Sequence, residues 1–147
     1  MSNLAYVQWR FAPLRAKSRG VGDGVLARLR VISIIDDDAS VRESTARLVR
    51  SLGYCAAVFS SAEEYLHSDR MRESACVITD LHMRGMSGAD LQHRLIADGH
   101  RTPIIFMTGH FEENARAQAL SAGAFGFLRK PFADESLVAC LDEALRD

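Results

Sequence analysis

The sequence predicts a doubly wound α/β domain, a five-stranded parallel sheet in the order 2-1-3-4-5 with helices on both faces. Three observations predict it. The chain has 147 residues, which leaves room for one domain of ordinary size. From Val31 onward, short apolar runs of strand length alternate with amphipathic stretches of helix length. Parallel strands must be joined by helical crossovers, so this alternation implies a parallel sheet covered on both sides.

The elements follow in order. Val31–Ile35 reads as a buried first strand, and Ser40-Val41-Arg42-Glu43 has the form of a capping box. Ser40 and Glu43 would satisfy the first free amides of a helix running to about Leu52, which Gly53 ends. Tyr54–Phe59 is the second strand, Ser61–Ser68 a short helix with acids in its first turn, and Ala75–Thr79 the third strand. A third helix starts near Gly88 and turns Leu91, Leu95 and Ile96 inward. Pro103–Met107 is the fourth strand, followed by an alanine-rich helix over Glu112–Ala122 that Gly123 stops. Phe125–Leu128 is the fifth strand, and Asp134–Leu145 a closing helix with Leu137, Val138, Leu141 and Leu145 on one face.

Residues 1–30 show no helical period and end in Gly20-Val21-Gly22-Asp23-Gly24, so they read as a mobile leader, with residues 31–147 as the domain. The alternation of Ala5, Val7, Trp9 and Phe11 leaves open one added strand. The leader holds six basic side chains and one acid, a charge of +5; the other 12 basic and 18 acidic residues give the body −6, for a net −1. An acidic body is a poor match for phosphate backbones, where Lys and Arg must replace counterions. No apolar stretch reaches the ~18 residues of a membrane span. Cys55, Cys76 and Cys140 are odd in number and scattered, which suggests neither a disulfide frame nor zinc and fits a reducing cytoplasm. Gly20-x-Gly22-x-Gly24 precedes the first strand, so it is no dinucleotide fingerprint, and Gly85-Met86-Ser87-Gly88 lacks the spacing of a nucleophile elbow.

In sheets of this kind ligands gather beyond the carboxyl ends of the strands. There stand Asp36, Asp37 and Asp38 after strand one, Asp80 after strand three, Thr108 after strand four, and Lys130 with Pro131 after strand five. Two unit charges ~4 Å apart repel by about 4 kcal/mol at an effective dielectric near 20, so the carboxylates call for a cation. Oxygen ligands favour Mg²⁺, which takes one or two carboxylates and accepts a further oxygen from a phosphate. Thr108 and Lys130 are donors of the kind a phosphoryl group needs, and an aspartate beside Mg²⁺ can attack phosphorus.

At these residues residues 31–147 resemble the response regulator receiver (CheY-like) domain. Ile34-Ile35-Asp36-Asp37 resembles the family's acidic pair, and Val77-Ile-Thr-Asp80-Leu-His-Met83-Arg-Gly-Met86-Ser-Gly88 its phosphoacceptor segment. Ile105-Phe-Met-Thr108-Gly resembles its switch hydroxyl segment, and Gly126-Phe127-Leu-Arg-Lys130-Pro131-Phe132 its lysine-proline turn. The resemblance implies that Asp80 receives a phosphoryl group. It implies that Asp37, Asp80 and the main-chain carbonyl of His82 bind Mg²⁺, with Asp36 acting through water, and that Thr108, Lys130 and Phe127 form the switch. A single-domain response regulator is expected, served by a sensor histidine kinase or phosphotransfer protein, passing its signal to a protein target or through a phosphorylation-dependent homodimer, with no DNA binding by this chain alone and no membrane. Arg84 departs from the pattern, standing where the family usually has proline.

His82 and His110, two residues past Asp80 and Thr108, stand where they could border an attacking water. Two other functions compete. Asp36-Asp37-Asp38-Ala39-Ser40 also resembles the haloacid dehalogenase-type phosphatase motif, with Asp36 as nucleophile and Asp38 as general acid, although that family needs a further acidic motif beyond the lysine. The other is the receiver portion of a DNA-binding regulator.

Overall fold

The computed structural model describes residues 30–146; the expected leader lies outside the described residues apart from Arg30. Five strands form one parallel sheet in the order β2-β1-β3-β4-β5. They are β1 (Val31–Ile35), β2 (Cys55–Phe59), β3 (Ser74–Asp80), β4 (Ile104–Thr108) and β5 (Gly126–Arg129). Between and after them run α1 (Ala39–Ser51), α2 (Ala62–Leu66), α3 (Arg70–Glu73), α4 (Gly88–Ala97), α5 (Glu113–Ser121) and α6 (Asp134–Ala144). The expected doubly wound architecture is observed, and most expected boundaries fall within two residues of the observed ones.

The period of two along each strand divides the core into two layers. Ile32, Ile34, Cys76, Ile78, Ile105, Met107 and Leu128 meet Ala46 and Val49 of α1 and Leu137, Cys140 and Leu141 of α6. Their alternates Ile35, Val77, Phe106 and Phe127 meet Ala62 and Tyr65 of α2, Leu91 and Leu95 of α4, and Ala119 of α5. β1 and β4 are buried at every position, as central strands of a parallel sheet must be.

Three local expectations are corrected. Asp38, not Ser40, caps α1: its side chain accepts from the main-chain N–H groups of Ser40 and Val41 at 2.9 and 3.3 Å. A carboxylate fills that place well because it faces the positive end of the helix. Ile96 is 50% exposed rather than turned inward, since Leu91 and Leu95 already fill the stripe that α4 presents to the sheet. The helix expected over Ser61–Ser68 closes at Leu66, and one further turn, α3, leads into β3. Four residues carry too little periodicity to show in sequence. Gly53, which ends the first helix as expected, takes φ +98°, a conformation that a Cβ opposes.

The capping bonds hold the Asp38 carboxyl below its usual range, the Val41 and Ser40 amides being the main cause. A carboxyl lowered by folding stabilises the fold above its unfolded pKa and loses that contribution as pH falls through the folded value. Asp38→Ala is therefore expected to melt below the wild type at pH 7, with the gap closing as the solution is acidified below about pH 4. Thermal melts across pH 2–7 check this; a gap that does not depend on pH would refute the cap.

Candidate functional site

The carboxyl edge of the sheet collects the residues that close four adjacent strands. Asp36 and Asp37 follow β1, and the Asp36 main-chain N–H donates to the Phe59 carbonyl at 3.1 Å, holding that turn to β2. Asp80 ends β3 in register with Met107, and Thr108 ends β4 in register with Arg129. The Lys130 N–H donates to the Thr108 carbonyl at 2.7 Å, which turns the chain after β5 back over the same edge. Among the described residues, Asp36, Asp37 and Asp80 bring carboxylate oxygens within 4.8 Å of one another.

Lys130 reaches into this group, with Nζ 2.9 Å from Asp36 Oδ2 and 3.5 Å from Asp80 Oδ2. Asp36 is fully enclosed; its other oxygen accepts from the Asp38 N–H at 2.9 Å, and its carbonyl accepts from Arg42 at 2.7 Å. Burial pushes the Asp80 carboxyl above its ordinary range, the Lys130 ammonium opposes this, Asp36 pushes it further up, and the His82 N–H pulls it back. Asp37 is the outermost of the three, 27% exposed at its side chain, and accepts from the Arg84 N–H at 3.3 Å. Three carboxylates against one ammonium leave two negative charges in a partly enclosed pocket of oxygen donors, which is the donor set a hard divalent cation fits.

Not every expected residue joins them. The Asp38 carboxylate is spent on capping α1, so the edge carries three clustered carboxylates and not four. The pairing that a phosphatase of the dehalogenase type needs, Asp36 as an open nucleophile with Asp38 as its acid, is thereby absent. Thr108 is buried, and its hydroxyl donates to the His110 carbonyl at 3.1 Å and accepts from the His110 N–H at 3.0 Å. Phe127 is fully buried, with its ring 6.1 Å from those of Phe106 and Phe111. The rings of His82 and His110 meet edge to face at 6.0 Å beside the cluster.

Two residues hold the loop between β3 and α4 in ways the sequence reading did not reach, although it began the helix near Gly88. Glu63 accepts from the Met86 N–H at 2.9 Å across a separation of 23 residues, and nothing local in the sequence signals that link. Gly88 donates to the Leu81 carbonyl at 2.9 Å and has backbone close against its one open side. A Cβ there would overlap the main-chain oxygen of Asp80 and lie 3.0 Å from Leu81 Cα and Phe106 Cε1. Only glycine lets α4 begin so near the aspartate that ends β3.

Residues 32–142 match the family of the response regulator receiver domain. The chain is 40% identical over 119 residues to response regulator protein TodT of Pseudomonas putida, covering 81% of this chain and 52% of TodT. It is 36% identical over 115 residues to transcriptional regulatory protein FixJ of Bradyrhizobium diazoefficiens, covering 78% of this chain and 56% of FixJ. Among solved structures, the response regulator StyR superposes with a TM-score of 0.74 at 36% identity, over 80% of this chain and 59% of that one. The structure of FixJ-N superposes with a TM-score of 0.71 at 31% identity, over 79% of this chain and 93% of that one. The chain spans about half the length of the curated relatives it matches.

Proposed function

Because this chain belongs to the response regulator receiver domain family, we propose that it is a phosphorylation switch in which Asp80 accepts a phosphoryl group from a sensor histidine kinase or a phosphotransfer protein. The observation that carries this reading is the convergence of Asp36, Asp37 and Asp80 on Lys130 at one edge of the sheet. An Asp80 carboxylate oxygen attacks phosphorus, the bond to the donor breaks with its electron pair leaving on the donor atom, and Asp80 holds the group as an acyl phosphate. Asp37, Asp80 and the His82 carbonyl would hold Mg²⁺, with Asp36 acting through water, and the ion would neutralise charge on the transferring phosphoryl oxygens. Lys130 donates to the same oxygens from the side of β5, and Thr108 exchanges its bonds to His110 for one to the phosphoryl group. Phe127, packed one strand away, follows Thr108, so the switch is a shift between two packings of β4 and β5.

Beside the carboxylates a groove runs between α1 and the turn after β5, lined by Val41, Leu48, Lys130 and Phe132. Its apolar walls and its nearness to Lys130 suit a helix that brings a phosphohistidine to Asp80. Output leaves through protein contact on the surface of α5, β5 and α6, to a downstream target or a second copy of the chain. A second reading, in which the receiver governs transcription, is favoured by the relatives, of which the matched stretch covers only about half, FixJ being named a transcriptional regulatory protein. Among the described residues no helix is long and apolar enough to cross a membrane.

The test is intact-mass spectrometry after incubation with Mg²⁺ and a small acyl-phosphate donor. The wild type is expected to gain one phosphoryl group and Asp80→Asn none. A gain that persists in Asp80→Asn would sink the assignment, and its mapping to Asp36 would favour the phosphatase chemistry instead.

A further inference from the structure

The loop from Leu81 to Ser87 has no regular structure, yet carboxylates hold four of its amides. The His82 N–H bonds to Asp80, the Arg84 N–H to Asp37 at 3.3 Å, the Met86 N–H to Glu63 at 2.9 Å and the Ser87 N–H to Asp90 at 3.3 Å. Residue 84 differs from the others in adding a side-chain ion pair to the same carboxylate. Arg84 Nε lies 3.7 Å from Asp37 Oδ2, the same oxygen that accepts from its own N–H. Asp37 is therefore engaged twice by one residue, once through the backbone, which any amino acid except proline would supply, and once through a charge.

That charge changes the balance of the cluster. Three carboxylates and Lys130 leave two negative charges; the guanidinium reduces this to one on the side of Asp37, the carboxylate most open to solvent. A divalent cation entering beside Asp37 meets a like charge already there. Because the Arg84 side chain is 89% exposed, it can swing into water at small cost, so the penalty is moderate. We propose that Arg84 is a tethered cation that competes with the divalent metal for Asp37 and so sets the metal affinity of the site. This rests on the metal-dependent switch proposed above and adds to it a residue that tunes the metal concentration at which the switch operates. The charge acts across a few ångströms of solvent-accessible space, where screening at 0.1 M salt, with a Debye length of about 10 Å, is partial.

Calorimetric titration with Mg²⁺ alone, on the full chain, tests the proposal with no reference to phosphorylation. Arg84→Gln, which keeps the main-chain N–H, is expected to bind Mg²⁺ about three- to fivefold more tightly than wild type at 0.1 M salt. Arg84→Lys, which keeps the charge, is expected to stay within about twofold of wild type. The advantage of Arg84→Gln should shrink toward one near 1 M salt, where the Debye length is about 3 Å. A residue acting only through loop stiffness would show no such salt dependence. Equal or weaker binding by Arg84→Gln, with binding still abolished in Asp37→Asn, overturns the proposal and leaves the metal site standing. Binding that survives Asp37→Asn overturns both.

Discussion

Lys130→Met is expected to cost the fold about 3–5 kcal/mol, because it leaves Asp36 enclosed with its charge unpaired. The Lys130 side chain is itself only 18% exposed, so the pair is largely removed from water on both sides and little solvent screening softens the loss. At about 4 °C per kcal/mol for a domain of this size, the melting temperature should fall by roughly 12–20 °C. The double variant Lys130→Met/Asp36→Asn should regain more than half of that, since the stranded charge is gone while the shape is kept. Phosphorylation by an acyl-phosphate donor should nonetheless stay at least about a hundredfold slower in both variants, because the donor to the phosphoryl oxygens is missing. A single variant melting within about 4 °C of wild type would show that Asp36 is not held by Lys130.

Gly88→Ala has the second largest expected effect. In an exposed helix interior the change gains up to about 1 kcal/mol from helix propensity. Here the added methyl falls on the Asp80 carbonyl and against Leu81, neither of which can move without shifting the end of β3. Overpacking of this kind costs about 1–3 kcal/mol, and because the atoms in the way are backbone the upper end applies. The net loss is about 2 kcal/mol, or roughly 8 °C in melting temperature, and the displaced Asp80 should accept phosphoryl groups more slowly than lost stability explains. Gly109→Ala is the control, since a methyl there meets open space. Near-equal melting temperatures for the two variants would mean that α4 tolerates a wider approach.

The sheet was legible because central parallel strands, buried on both faces, read as near-continuous apolar runs such as Val31–Ile35, broken only by Ser33, and Ile104–Met107. Asp36, Asp37, Asp80, Thr108 and Lys130 were legible because a doubly wound sheet lines up its strand ends, so position in the alternation gives position in space. What sequence could not show depends on geometry between elements. The spacing of Ser40 and Glu43 points to Ser40 as the cap, and only the path of the chain after β1 assigns the task to Asp38. Ile96 fits a helical stripe by spacing, but the width of the stripe is set by how closely α4 lies on the sheet. Glu63 and Arg84 act across 23 and 47 residues, so their partners exist only in the folded chain.

Arg129, at the end of β5, lies with its guanidinium carbon 4.5 Å from the centre of the Phe111 ring. The same ring also meets Phe127, edge on at an interplanar angle of 81°. A ring with no solvent exposure and a cation on the surface therefore share one bearing. Phe111 cannot be re-seated for Phe127 without changing the face it offers to Arg129, and the attraction between a cation and a ring depends on that face. In the switch proposed for this chain, a move of Phe127 would thus be geared to the position of a positive charge outside through a single side chain. Such a gear would convert packing into surface electrostatics, since the attraction between cation and ring is what ties Arg129 to the interior.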